Sequence, residues 1–162
     1  MLPLRLPLPA PPRPDLRLAA RAPLKLLPQP FHGPLAAAAL DRLLAEPQRL
    51  GDLDFLDGKV LQIEVTDLGL DLRLTREQGR LTAAARHRPP DVRFAGEARE
   101  FLHLALGKED PDTLFFQRRL ELGGDTELGL EIKNFLYSQG DDWLPSPLRA
   151  LLERLLRHWP AA

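Results

Sequence analysis

No cysteine occurs in the chain, which excludes a disulfide framework, a thiol nucleophile and thiolate ligation of zinc or iron–sulfur centres, and fits a reducing cytoplasm. Serine is almost as scarce. Ser138 and Ser146 are the two serines present, and neither sits in a G-x-S-x-G elbow. No glycine-rich run matches a phosphate cradle or a dinucleotide fingerprint. His32, His87, His103 and His158 are too far apart for H-x-x-x-H or H-E-x-x-H metal spacing. Asp141 and Asp142, in "QGDDW", read as a solvated loop rather than an acid–base pair. The residues therefore predict no catalytic group, no metal and no cofactor. No run of eighteen apolar residues is present, so no helical membrane span is expected. The net charge of −1 gives no general attraction to nucleic acid.

Proline and charge are abundant but unevenly placed. Ten of the seventeen prolines fall in residues 1–34, which predicts an extended, partly polyproline-like arm over residues 1–33. Four prolines within the first eleven residues would break the apolar helix of a secretory signal. Residues 1–40 carry five basic groups against one acid, and the remaining 122 carry 17 basic against 22 acidic. The beginning of the chain is thus +4 and the rest −5. Such an arm suits a protein partner or an anionic membrane surface, so the expected location is cytoplasmic with peripheral contact at the inner face of the cell membrane.

At 162 residues the chain suits one domain with a real core. From Pro34 the pattern Leu35, Ala36, Ala39, Leu40, Leu43 and Leu44 predicts an amphipathic helix ending near Pro47. Asp57-Gly58 between apolar-alternating runs predicts a hairpin. Leu61, Ile63 and Val65, then Leu70, Leu72 and Leu74, alternate with polar residues, and the strands "LTAAAR" and "DVRF" follow, as in an antiparallel sheet with one wet face. "GEAREFLHLALG" and "DPDTLFF" read as helices, and "RRLEL" as a strand with Leu120 and Leu122 inward. Asp125 should cap a helix striped by Leu128, Ile132, Phe135 and Leu136, after a turn that needs positive φ at Gly124. Leu148, Leu151, Leu152, Leu155, Leu156 and Trp159 mark a final amphipathic helix. Ser146 is its expected cap, and Glu153 is placed to pair with Arg157.

Sheet, helices and the run "DPDTLFFQRRLELGGDTELGL", with "LDFLDGKVLQIEVTDL" and "DVRFAGEAREFL" upstream, resemble the sterol-carrier-protein-like lipid-binding domain, and within it the ubiquinone-biosynthesis accessory factors, over about residues 23–138. The resemblance implies an α+β fold in which helices cover one face of an antiparallel sheet of about five strands and enclose an apolar tunnel. It implies three parts: the arm (1–33), the lipid-binding domain (34–140) and the C-terminal helix (141–162). A non-catalytic factor is implied, holding a polyprenylated quinone precursor or a phospholipid. Its partners would be ubiquinone-biosynthesis proteins such as UbiU and UbiV, and its place the oxygen-independent pathway.

An isoprenoid tail gains about 25 cal/mol for each Å² of apolar surface removed from water and needs no directional partner. The candidate lining is Phe94, Phe101 and Leu102, then Leu114, Phe115 and Phe116, Leu120 and Leu122, and finally Leu128, Ile132, Phe135 and Leu136. Phe115 and Phe116 are adjacent on a helix, so they cannot face the same way: one is expected in the core and the other at a cavity or its mouth. Arg118 and Arg119 are candidates for a ligand's head group, because guanidinium offers forked donors. A different class of function fits the same residues: an interaction scaffold whose closed core binds no lipid and whose basic arm and final helix dock other proteins.

Overall fold

A computed structural model of the chain describes residues 29–140 and 142–160. The greater part of the proline-rich arm, residues 1–28, and Asp141 lie outside the described residues. Helix α1 (Gln29–Leu43) begins within the stretch read as arm and carries Pro34 inside it. It breaks at Leu44 and resumes as α2 (Ala45–Leu50), whose first turn accepts Pro47 because the missing N–H has no partner there anyway. The most buried residues of this pair are Ala37, Asp41 and Gln48, while Leu40 and Leu44 of the expected stripe are half-buried against the core. Leu35 is 63% exposed.

Five strands form one sheet in the order β3-β2-β1-β4-β5: β1 (Leu61–Val65), β2 (Leu70–Glu77), β3 (Arg80–Ala83), β4 (Val92–Gly96) and β5 (Leu120–Gly124). Three pairings are antiparallel, whereas β1 and β4 run parallel, with Leu61 opposite Val92 and Ile63 opposite Phe94. The sheet is mixed rather than wholly antiparallel. The cause is the return segment after β3. Pro89 and Pro90 give that segment no N–H to donate to a ladder, and the Arg73 guanidinium donates to the carbonyls of Arg86 at 2.8 Å and Arg88 at 3.0 Å. The chain is thereby led back across the outer face to Asp91. There the Asp91 carboxylate accepts from the Val60 N–H at 2.7 Å, and β4 starts beside the start of β1.

Asp57-Gly58 does not make a hairpin. Asp54–Leu56 is a turn of 3₁₀ helix, and Asp57 bridges to Arg76 of β2. The buried Arg76 guanidinium lies 2.7 Å from both Asp54 and Asp57 and pins this turn to the sheet. Two carboxylates facing one cation outweigh the local hairpin preference.

Four helices follow β4: α3 (Ala98–Ala105), α4 (Pro111–Phe116), α5 (Thr126–Ser138) and α6 (Ser146–His158). Asp125 caps α5 through the Leu128 N–H at 3.0 Å, and Asp110 caps α4 through the Thr113 N–H at 2.9 Å. Gly124 has φ +91°, as the sequence requires. Helix α6 starts at Ser146 itself, behind Pro145, and has no side-chain cap. Glu153 turns to Lys108 and Arg149 rather than to Arg157. Trp159, just past its end, is buried against Val65 and Ala98.

Candidate lipid-binding cavity

Alternation decides which side chains the sheet offers inward. Leu61 and Ile63 of β1, Leu74 of β2 and Phe94 of β4 share the face beneath the helices. Over them lie Leu40 and Leu44 from the α1–α2 segment, Phe101 and Leu104 of α3, and Ile132, Phe135 and Leu136 of α5. Together they enclose a cavity of about 440 Å³. That volume falls within the ~300–1,000 Å³ range of small-molecule sites. Phe55, on the 3₁₀ turn, meets Phe135 with ring centroids 6.4 Å apart. The core is therefore not closed.

Among the described residues, polar groups in the lining come from one corner only, formed by the α3–α4 turn and the C-terminal end of α5: Glu109, Asp110, Tyr137 and Gln139, with Trp143 beside them. Gly107, Asp110, Tyr137 and Gly140 are exposed there, so the cavity opens to solvent at this corner. The Tyr137 hydroxyl is 3.2 Å from Asp110 and 3.0 Å from Asp112, and the Trp143 indole N–H donates to the Ala105 carbonyl at 3.0 Å.

Three carboxylates at this mouth are held below their usual range. For Asp110 the main cause is the Thr113 side chain, for Asp112 it is Lys133, and for Glu109 it is Arg119. Partial burial, then the Asp112 carboxylate, pushes the Tyr137 phenol up. At neutral pH all three are ionised, Glu109 paired with Arg119 and Asp112 with Lys133, and the Tyr137 hydroxyl beside them is neutral.

Of the residues expected to line a lipid site, Phe94, Phe101, Ile132, Phe135 and Leu136 face this cavity. Leu114 and Leu120 are buried, as is Leu128, which packs in the same core as Ile132; Leu102 packs beside Trp159. Phe115 turns inward and meets Phe94 edge to face at 5.4 Å, whereas Phe116 is 91% exposed and lines no part of the cavity. Leu122 points toward α5, where Gly129 makes room for it, yet its place on an edge strand leaves it 37% exposed. Arg119 is held between Glu109 and Glu100, the latter at 2.5 Å, and Arg118 is exposed. Neither is part of the cavity lining, although Arg119 reaches its mouth through Glu109.

The sequence reading missed Phe55, Leu40, Leu44 and the mouth groups. Phe55 was hidden by the hairpin reading. Glu109, Tyr137 and Trp143 sit on different elements, and nothing in their spacing along the chain links them.

A mixed five-stranded sheet with helices over an apolar cavity is the arrangement of sterol-carrier lipid-binding domains. The family model described as the SCP-2 sterol transfer family matches residues 37–137, well over half of the chain, and the chain belongs to that family. It is 42% identical over 105 residues to the ubiquinone biosynthesis accessory factor UbiT of Escherichia coli (strain K12), and equally so to UbiT of E. coli O157:H7. The match takes in 65% of this chain and about 60% of the length of those relatives. Among solved structures, "UbiJ-SCP2 Ubiquinone synthesis protein" superposes with a TM-score of 0.53 at 21% identity. That match covers 65% of this chain and 96% of the other, and supports the fold alone.

Proposed function

We propose that the chain is a lipid-binding accessory factor of ubiquinone biosynthesis that binds without catalysing. The observation that carries the reading is the apolar cavity, polar at one corner only, in a chain 42% identical to UbiT. In this account the cavity serves as the family's lipid tunnel. It takes the tail of a polyprenylated quinone precursor or of a phospholipid, with each buried methylene contributing about 0.8 kcal/mol. The ring stays at the Glu109–Tyr137 mouth, within reach of hydroxylating partners such as UbiU and UbiV on the oxygen-independent route. The carboxylates and phenol there suit a neutral hydroxylated ring that donates hydrogen bonds.

We further propose the division into an arm (1–33), a lipid-binding domain (34–140) and a C-terminal helix (141–162), and peripheral membrane contact of a cytoplasmic protein. No helix among the described residues is long and apolar enough to cross a membrane.

The test is complementation. Expressed in E. coli K12 lacking UbiT and grown without oxygen, the chain should restore ubiquinone measured by solvent extraction, and its Phe135→Asp variant should not. Expression of folded protein without any ubiquinone would count against the assignment.

A further inference from the structure

Phe116 is the most exposed of the large apolar side chains described, at 91%. It stands where α4 ends, and the residues that follow build an unusual corner. The Arg118 N–H donates to the Phe115 carbonyl at 3.0 Å and the Arg119 N–H to the Leu114 carbonyl at 2.9 Å, the pair of bonds that closes a helix when the residue between adopts a left-handed conformation. That residue is Arg118, with φ +57°. Glycine is the usual occupant, and an L-residue there costs about 1–2 kcal/mol. The guanidinium that this costly conformation projects makes no hydrogen bond or ion pair among the described residues.

Beside it is a shallow surface depression lined by Phe115, Leu120 and Leu122, with Arg118 and Lys133 at its margin together with Glu121. Lys133 is held by Asp112, and Glu121 is 3.8 Å from Arg93, which leaves Arg118 as the unengaged charge. Leu130 of α5 is also exposed. Phe115, which lines this depression, meets edge to face the Phe94 ring that lines the cavity.

We infer that the Phe116–Arg118 corner docks on the surface of a phospholipid bilayer, with Phe116 entering the acyl layer and Arg118 meeting a lipid phosphate. Charge complementarity selects this occupant. An exposed aromatic beside an unpaired guanidinium reproduces, over two residues, the apolar-to-anionic step of the head-group boundary. The position agrees, because Phe115 beside this corner is in ring contact with Phe94 of the chamber that would receive the lipid. The inference rests on the peripheral-membrane part of the proposed function and names the element responsible, which is neither the arm nor α6.

Flotation of the full chain with vesicles of phosphatidylcholine, or of equimolar phosphatidylcholine and phosphatidylglycerol, tests it. Phe116→Asp should lower binding to both vesicle types at least tenfold while leaving the melting temperature unchanged. Arg118→Gly should lower binding to the anionic vesicles alone, abolish its salt sensitivity, and raise the melting temperature by about 3 °C as the left-handed position is relieved. A residue that is purely structural would not move stability and binding in opposite directions. Wild-type binding by both variants would overturn the inference, as would no binding by the wild-type chain to either vesicle. Lipid co-purifying with these variants reports on the cavity separately and is unaffected by either outcome.

Discussion

Asp41 accepts hydrogen bonds from the Leu81 N–H at 2.9 Å, from Arg80 at 2.9 and 3.2 Å and from Gln48 at 3.2 Å, so one buried carboxylate ties α1 to α2 and to the edge strand β3. Burial pushes its pKa up, but the bonds from Arg80, Gln48 and Leu81 together outweigh burial and hold it below the usual range. A group whose folded value lies below its unfolded value contributes stability above about pH 4, and loses it as the pH falls through the folded value. Asp41→Asn should therefore cost about 2 kcal/mol at neutral pH, and its gap from wild type should narrow in urea melts toward about pH 3. A gap of constant size would show that charge at Asp41 is irrelevant. Gly124 is decided by contact as well as by φ: a Cβ there would run into the Asp91 carbonyl oxygen. Because that oxygen is backbone, held by the Asp125 N–H at 2.8 Å, it cannot yield easily. Gly124→Val should cost about 3 kcal/mol by denaturant melt, and a loss below 1 kcal/mol would discard the close approach.

Helix α6 has a continuous leucine stripe, yet none of its own residues is buried and Leu151 is 53% exposed. It is anchored instead by what flanks it, Leu144 before and Trp159 after, both buried. Trp159→Ala should cost about 3 kcal/mol, more than Leu151→Ala, which should be near neutral; equal losses would mean that the stripe and not the flank holds the helix. The contrast shows what patterning can convey. Period-2 alternation in β1 and β2 and the cap at Asp125 were legible because each depends on residues a few positions apart. The parallel pairing of β1 with β4 depends on where a return segment is tied by Arg73, and the fate of Asp57-Gly58 depends on Arg76, nineteen residues away. The cavity was half legible for the same reason. Phe94, Phe101, Ile132 and Phe135 lie on faces that periodicity identifies, but a helix stripe reads alike whether the space beneath it is filled or open. Phe116 was misplaced because adjacency to Phe115 settles only that they differ in direction, not which of them enters.

Across the whole molecule, the sheet supplies an apolar floor, α1, α3 and α5 supply the walls, and one corner supplies all the polarity in the lining. Such a chamber binds by removing a tail from water, and it discriminates among head groups only at its mouth. The core cluster that carries stability and the cavity lining overlap, sharing Leu53, Leu61, Phe94 and Ile132, whereas Val92 belongs to the core alone. Filling the cavity should remove binding without unfolding the chain, because an added ring occupies volume that no side chain uses. The central claim is that this cavity holds a lipid tail, and native mass spectrometry of the purified full chain tests it most directly. The account predicts a bound prenylated or acylated species released by solvent extraction, strongly reduced in Ile132→Trp at an unchanged fold by circular dichroism. A folded wild-type chain that carries no lipid and takes up none from added ubiquinone, or an Ile132→Trp variant that retains its full complement, would contradict it.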